Sequence, residues 1–162
     1  MKDWLSRRLK EPAGANSMIL HFDHVTVAVR DVAAATAFFG LLGFRVEKSV
    51  VISGPQFARY MGVDGIEADH ITMVLPGVTP RTEIQLLHYR HPEPAPDPAI
   101  PNLCRVGFNH ICFAVQDLDA EVARLTAAGV RLRNDVMDFH GRKLVFLTGP
   151  EGITVELAEW SS

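Results

Sequence analysis

Apolar and polar positions begin to alternate at His24: HVTVAV sets Val25, Val27 and Val29 on one side and His24 and Thr26 on the other. A two-residue period of this kind predicts a strand with one buried face. The next segment, VAAATAFFGLLG, shifts to the helical period. Asp31 in front of it can accept from the free amides of a first turn, and Gly43 behind it suits a left-handed stop. FRVEKSVV, ITMVLP and EIQLLHY then return to the strand pattern. The same order is written a second time as HICFAV, LDAEVARLTAAG, VRLRNDV, KLVFLT and ITVELAEW, with GPEG at 149–152 as the last hairpin turn.

The two passages are copies. Adding 86 to a position carries Phe22 to Phe108, His24 to His110, Asp31 to Asp117, Gly43 to Gly129 and Arg45 to Arg131 without a gap. An internal repeat of strand, helix and three strands predicts an α+β fold of two paired βαβββ modules, forming a cupped, eight-stranded mixed sheet. The expected divisions are a tail over 1–18, a first module over 19–91, a proline-rich stiff linker over 92–105 and a second module over 106–162. The two modules together make one domain. The first copy is longer, by the stretch SGPQFARYMGVDGIEAD between its second and third strands. Insertions of that length are surface loops that often cover a site, and Phe57, Tyr60 and Met61 would make this one an apolar lid or an interface.

Composition narrows the function classes. A net charge of -3 over 162 residues gives no reason to expect nucleic acid or an anionic membrane as a partner. No apolar run approaches the roughly 20 residues that cross a bilayer. The first residues are basic and lack the apolar core of a secretory signal; Trp4, Leu5 and Leu9 would give them at most a short amphipathic helix. Cys104 and Cys112 match neither a redox pair nor a zinc knuckle, which leaves a reducing cytoplasm as the expected compartment.

Chemistry enters through four residues. His24 and His110 occupy one repeated position, and Gln85 and Glu156 another (EIQLL against TVELA). Gln85 lies between Ile84 and Leu86, and Glu156 between Val155 and Leu157, so each polar side chain should point away from its apolar neighbours. A curved sheet can bring all four to its concave centre. That mixture of nitrogen and oxygen donors suits one divalent ion: Zn, Ni, Co, Mn or Fe.

At FDHVTVAVRDV, GFNHICFAVQDLDA and GPEGITVELAEW the chain resembles the vicinal oxygen chelate superfamily, which includes glyoxalase I, methylmalonyl-CoA epimerase, extradiol dioxygenases and the fosfomycin- and bleomycin-resistance proteins. The resemblance runs from Ile19 to Trp160. It implies a metal held by His24, Gln85, His110 and Glu156, a small-molecule substrate and a homodimer. Gln at position 85 is similar to the epimerases, and in that alignment Glu67 falls near their catalytic carboxylate. The loop before Glu67 is longer and more apolar than in the epimerases, and GPEG departs from their usual last turn.

The leading expectation is therefore a glyoxalase- or epimerase-like isomerase or lyase. It would stabilise the enolate of a small carbonyl, thioester or hemithioacetal substrate while Glu67 or Glu156 moves the proton. One alternative is an Fe(II) extradiol-type dioxygenase using His24, His110 and Glu156, with Gln85 only a neighbour and His70, His88, His91, Tyr89 and His140 as outer donors. The other is a metal-free drug-binding protein. Cys112 should line the cup beside His110 as a small apolar residue, and Arg59, Arg105 and Arg142 are candidates to grip an anionic group.

Overall fold

The computed structural model describes residues 18–161. The tail expected over 1–18, with its short helix, lies outside the described residues apart from Met18. Both modules take the expected order. The first runs β1 (His24–Ala28), α1 (Val32–Leu41), β2 (Arg45–Ser53), α2 (Pro55–Met61), β3 (Glu67–Val74) and β4 (Glu83–His91). The second runs β5 (His110–Ala114), α3 (Leu118–Ala127), β6 (Met137–Phe139), β7 (Arg142–Thr148), a single 3-10 turn (Pro150–Gly152) and β8 (Thr154–Trp160).

The eight strands form two four-stranded mixed sheets, ordered β1-β4-β3-β2 and β5-β8-β7-β6. In each sheet the first strand runs parallel to the last one of its module, and the remaining pairs are antiparallel. Among the described residues β1 and β5 are therefore edge strands, hydrogen-bonded on one side only and not to each other.

Local chemistry sets both helices alike. The Asp31 carboxylate accepts from the Ala34 amide and that of Asp117 from the Ala120 amide, each at 2.9 Å. Gly43 and Gly129 end the helices at φ of 95° and 88°, values that a side chain would strain. Val25 and Val27 of β1, and Ile84 and Leu86 of β4, pack under α1 around the fully buried Phe39, whose ring meets Phe38 and Phe44 edge-on. Leu118, Leu125, Val145, Val155 and Leu157 build the matching core under α3. Phe38, Leu42, Ile111, Phe113 and Ile153 belong to both cores, so the modules share a seam between their helix-bearing faces. The opposite faces carry His24, Gln85, His110 and Glu156 among apolar residues, with a third cluster around Ile52, Ile66, Ala68 and Leu87 on the first sheet.

Three local expectations are revised. The strand expected over VRLRNDV is reduced to a bridge between Leu132 and Leu147, and the ladder resumes only at Met137. Asn134 explains the break, since its side-chain oxygen takes the Phe146 amide at 2.8 Å in place of a backbone carbonyl. The insertion between β2 and β3 is a helix, α2, packed over Ile52, Ile66, Ala68 and Leu87 through Phe57, Ala58 and Met61. The proline-rich connection makes turns at Asp97–Ile100 and Ala99–Asn102 and packs along Ala28, Arg30 and Glu151, so it is not extended throughout.

Candidate metal centre

Alternation delivers the four residues to the faces turned away from α1 and α3. Val25 and Val27 enter the core, so His24 and Thr26 face outward; Ile111 and Phe113 do the same for His110 and Cys112. Gln85 and Glu156 stand between core pairs on β4 and β8. The register sets Thr26 beside Gln85 and Cys112 beside Glu156.

In the first module His24, Thr26, His70 and Gln85 line a cleft of about 380 Å³ roofed by Phe57, Tyr60 and Met61 of α2. The Gln85 oxygen accepts from His70 Nε2 at 3.0 Å and from the Thr26 hydroxyl at 3.5 Å, while its amide nitrogen donates to Glu83 at 3.2 Å. His24 Nδ1 donates to Asp23 at 2.6 Å, which leaves Nε2 as the free acceptor of the ring. The hydrogen bond from His24 lowers the Asp23 carboxyl below its ordinary range, against the opposing effect of desolvation.

In the second module His110 Nε2 lies 2.9 Å from Glu156 Oε2, and the His110 ring stacks edge-on against Phe146. His110 Nδ1 meets Asn109 Oδ1 at 2.7 Å, and Asn109 Nδ2 donates to the Leu103 carbonyl at 2.6 Å. That second bond fixes the amide so that its oxygen faces the ring, which obliges Nδ1 to be the donor. A neutral ring would then aim the Nε2 lone pair at a carboxylate oxygen. Two acceptors so close need a proton or a cation between them. Burial pushes the Cys112 thiol up to about 12, and its hydrogen bond to Glu156 adds to the shift. Cys112 is thus a neutral donor to Glu156, as Thr26 is to Gln85.

Among the described residues no three His, Cys, Asp or Glu side chains gather as a metal-holding group. His24 and His110 sit on the two edge strands, which have no ladder between them. Glu67, expected as a base, stands elsewhere. It is the first residue of β3, and its carboxylate accepts from Arg90 at 3.2 Å together with Asp69, whose face is opposite that of His70. Arg105 is bound to Asp97 and the Phe108 carbonyl in the linker. Asp23 and Asn109 were not singled out by the sequence pattern, although the 86-residue offset pairs them immediately before the two histidines.

Residues 21–157 match the profile of the Glyoxalase/Bleomycin resistance protein/Dioxygenase superfamily, and the chain belongs to that family. It is 31% identical to an ethylmalonyl-CoA/methylmalonyl-CoA epimerase of Cereibacter sphaeroides over 88% of this chain and 99% of that protein. It is 24% identical to a lactoylglutathione lyase of Schizosaccharomyces pombe over 90% of this chain, yet spans only 47% of that protein. A glyoxalase family protein from Bacillus cereus superposes with a TM-score of 0.80 at 27% identity, over 93% of this chain and all of that one. Enzymes of the lyase and epimerase classes thus stand among its relatives, and the fold is theirs.

Proposed function

We propose that the protein is a metal-dependent proton-transfer enzyme whose centre is assembled from two half-sites, His24 with Gln85 and His110 with Glu156. The supporting observation is the second half-site: with Asn109 holding the His110 Nδ1–H, Nε2 and a Glu156 oxygen stand 2.9 Å apart, a spacing that a shared proton fills and that a divalent ion could fill in its place. Asp23 prepares the His24 ring in the same way. A divalent ion held there would supply Lewis-acid stabilisation of negative charge developing on a carbonyl oxygen. Glu156 is the carboxylate placed to take the α-proton, because Glu67 is turned to Arg90. The Cys112 thiol steadies Glu156, and α2 shields the first half-site from water. The substrate class is a small carbonyl, thioester or hemithioacetal compound.

The half-sites meet between two copies of the chain. Each edge strand bears one histidine and one unpaired row of backbone groups, with Phe22 and Phe108 exposed at the strand starts. A two-fold dimer that sets β1 of one copy against β5 of its partner covers both edges and completes two centres. Mixing H24A with H110A protein tests this, since each heterodimer regains one intact centre. After subunit exchange, bound metal should return to about a quarter of the wild-type level. No recovery on mixing, with wild-type protein binding metal as a monomer, would place the centre within one chain. Solvent deuterium uptake at the α-carbon of acyl-CoAs and hemithioacetals then tests the reaction.

A second reading is favoured by Gln85, whose oxygen is already engaged by His70 and Thr26. If Gln85 stays there, His24, His110 and Glu156 are the two-His-one-carboxylate set of an Fe(II) oxygenase. Dioxygen consumption with catechols after anaerobic iron loading distinguishes this reading from proton transfer.

A further inference from the structure

The open face of the second sheet carries more than His110 and Glu156. Its register stacks rows of paired residues: Cys112, Glu156 and Phe146; then Ala158, Leu144 and Met137; then Trp160, Arg142 and Phe139. Directly paired residues share a face, so Arg142 lies on the face of Glu156, about 13 Å further along the strand. Its guanidinium carbon sits 4.6 Å from the centre of the Trp160 ring. Arg142 Nε is buried without a hydrogen-bond partner. Arg30, Arg81, Arg90, Arg105 and Arg124 each hold a carboxylate, whereas no ion pair engages Arg142 among the described residues. Phe139 and Trp160 on either side of it remain 46% and 63% exposed, leaving the row open to a ligand.

A half-buried guanidinium held over an indole, with a desolvated N–H and no ion-pair partner among the described residues, has the character of an unfilled anion site. We propose that Arg142, Trp160 and Phe139 bind the carboxylate end of the substrate, whose flat apolar body points along the sheet toward Glu156. This inference deepens the proposed centre and rests on it for the substrate's other end. It adds a substrate class: an anionic carbonyl compound with its carboxylate remote from the reacting carbon.

The test uses the metal-free full-length chain with W4F, which leaves Trp160 as the sole tryptophan of the two in the sequence. Its fluorescence is titrated with phenylacetate, phenyl phosphate and the neutral phenylacetamide. Saturable quenching by phenylacetate is expected, with phenylacetamide weakened at least about tenfold. R142M should weaken phenylacetate by a similar factor and R142K by less. Equal binding of acid and amide, or of phenylacetate by wild type and a folded R142M, overturns the proposal. Tighter binding of phenyl phosphate overturns the carboxylate in favour of a phosphate ester. A parent protein that binds no metal but passes these tests loses only the proposed centre, whereas one that binds metal and fails them loses only this subsite.

Discussion

Glu151 joins the two modules and can be tested without knowing any substrate. It lies in the turn between β7 and β8 at φ 54°, a left-handed conformation rare for a residue with a side chain. Its carboxylate accepts the Arg30 backbone amide at 2.8 Å and Arg30 Nε at 3.0 Å, where β1 passes into α1. Burial pushes the carboxyl up, but those two bonds and the Asp31 amide outweigh it and hold the group below its usual 4.5. E151Q keeps the shape and removes the charge. Hydrogen bonds to an ionised group contribute about 1.5–3 kcal/mol, and glutamine retains part of them, so a loss of about 2 kcal/mol is expected at pH 7. In a domain of this size that lowers the melting midpoint by roughly 4–8 °C. The folded carboxyl titrates below its unfolded value, so its contribution is complete above pH 4.5 and drains away as the pH falls through the folded value. Urea unfolding of both proteins from pH 7 down to pH 3 should therefore show a gap that narrows with acid. A gap independent of pH, or none at pH 7, would refute the electrostatic tie between modules.

D23A should weaken metal binding about 10- to 100-fold while leaving the fold intact, measured by competition with a chelating dye, because His24 loses the partner that aims its ring. F39A removes the fully buried ring at the centre of the first core and should cost about 3–5 kcal/mol in denaturant unfolding. Iodoacetamide at pH 8 should label Cys104 well before Cys112, read by peptide mass spectrometry, since a thiol pushed up to about 12 has a thiolate fraction near 10⁻⁴ there.

Most of the fold was legible in the chain because its signals are local. Period, cap and stop recur at fixed offsets, and Asp31, Gly43 and their copies Asp117 and Gly129 behave as those offsets imply. The outward direction of His24, Gln85, His110 and Glu156 follows from the apolar neighbours of each. What escaped depends on contacts between distant segments. Asn134 breaks a strand by reaching Phe146, and Arg90 draws Glu67 to Asp69 across a register shift at the start of β3. Strand period assigns a face but not a neighbour, so it could not reveal that β1 and β5 would both be edges.

The two copies have also diverged in a coordinated way. In the first, the residue before the histidine is charged (Asp23) and the repeated position on the terminal strand is an amide (Gln85). In the second the order is reversed, with Asn109 before the histidine and Glu156 at the repeated position. Each half-site thus keeps one carboxylate and one amide, in exchanged places. A cation between the halves would meet one direct carboxylate, from Glu156, while Asp23 acts through the His24 ring by making its Nε2 the better donor. Two direct carboxylates would favour a harder, more tightly neutralised ion and leave less Lewis acidity for a substrate oxygen. On the proposed centre the exchange would leave Glu156 as the one direct carboxylate to serve as ligand or base, and the reaction would then depend on the second module.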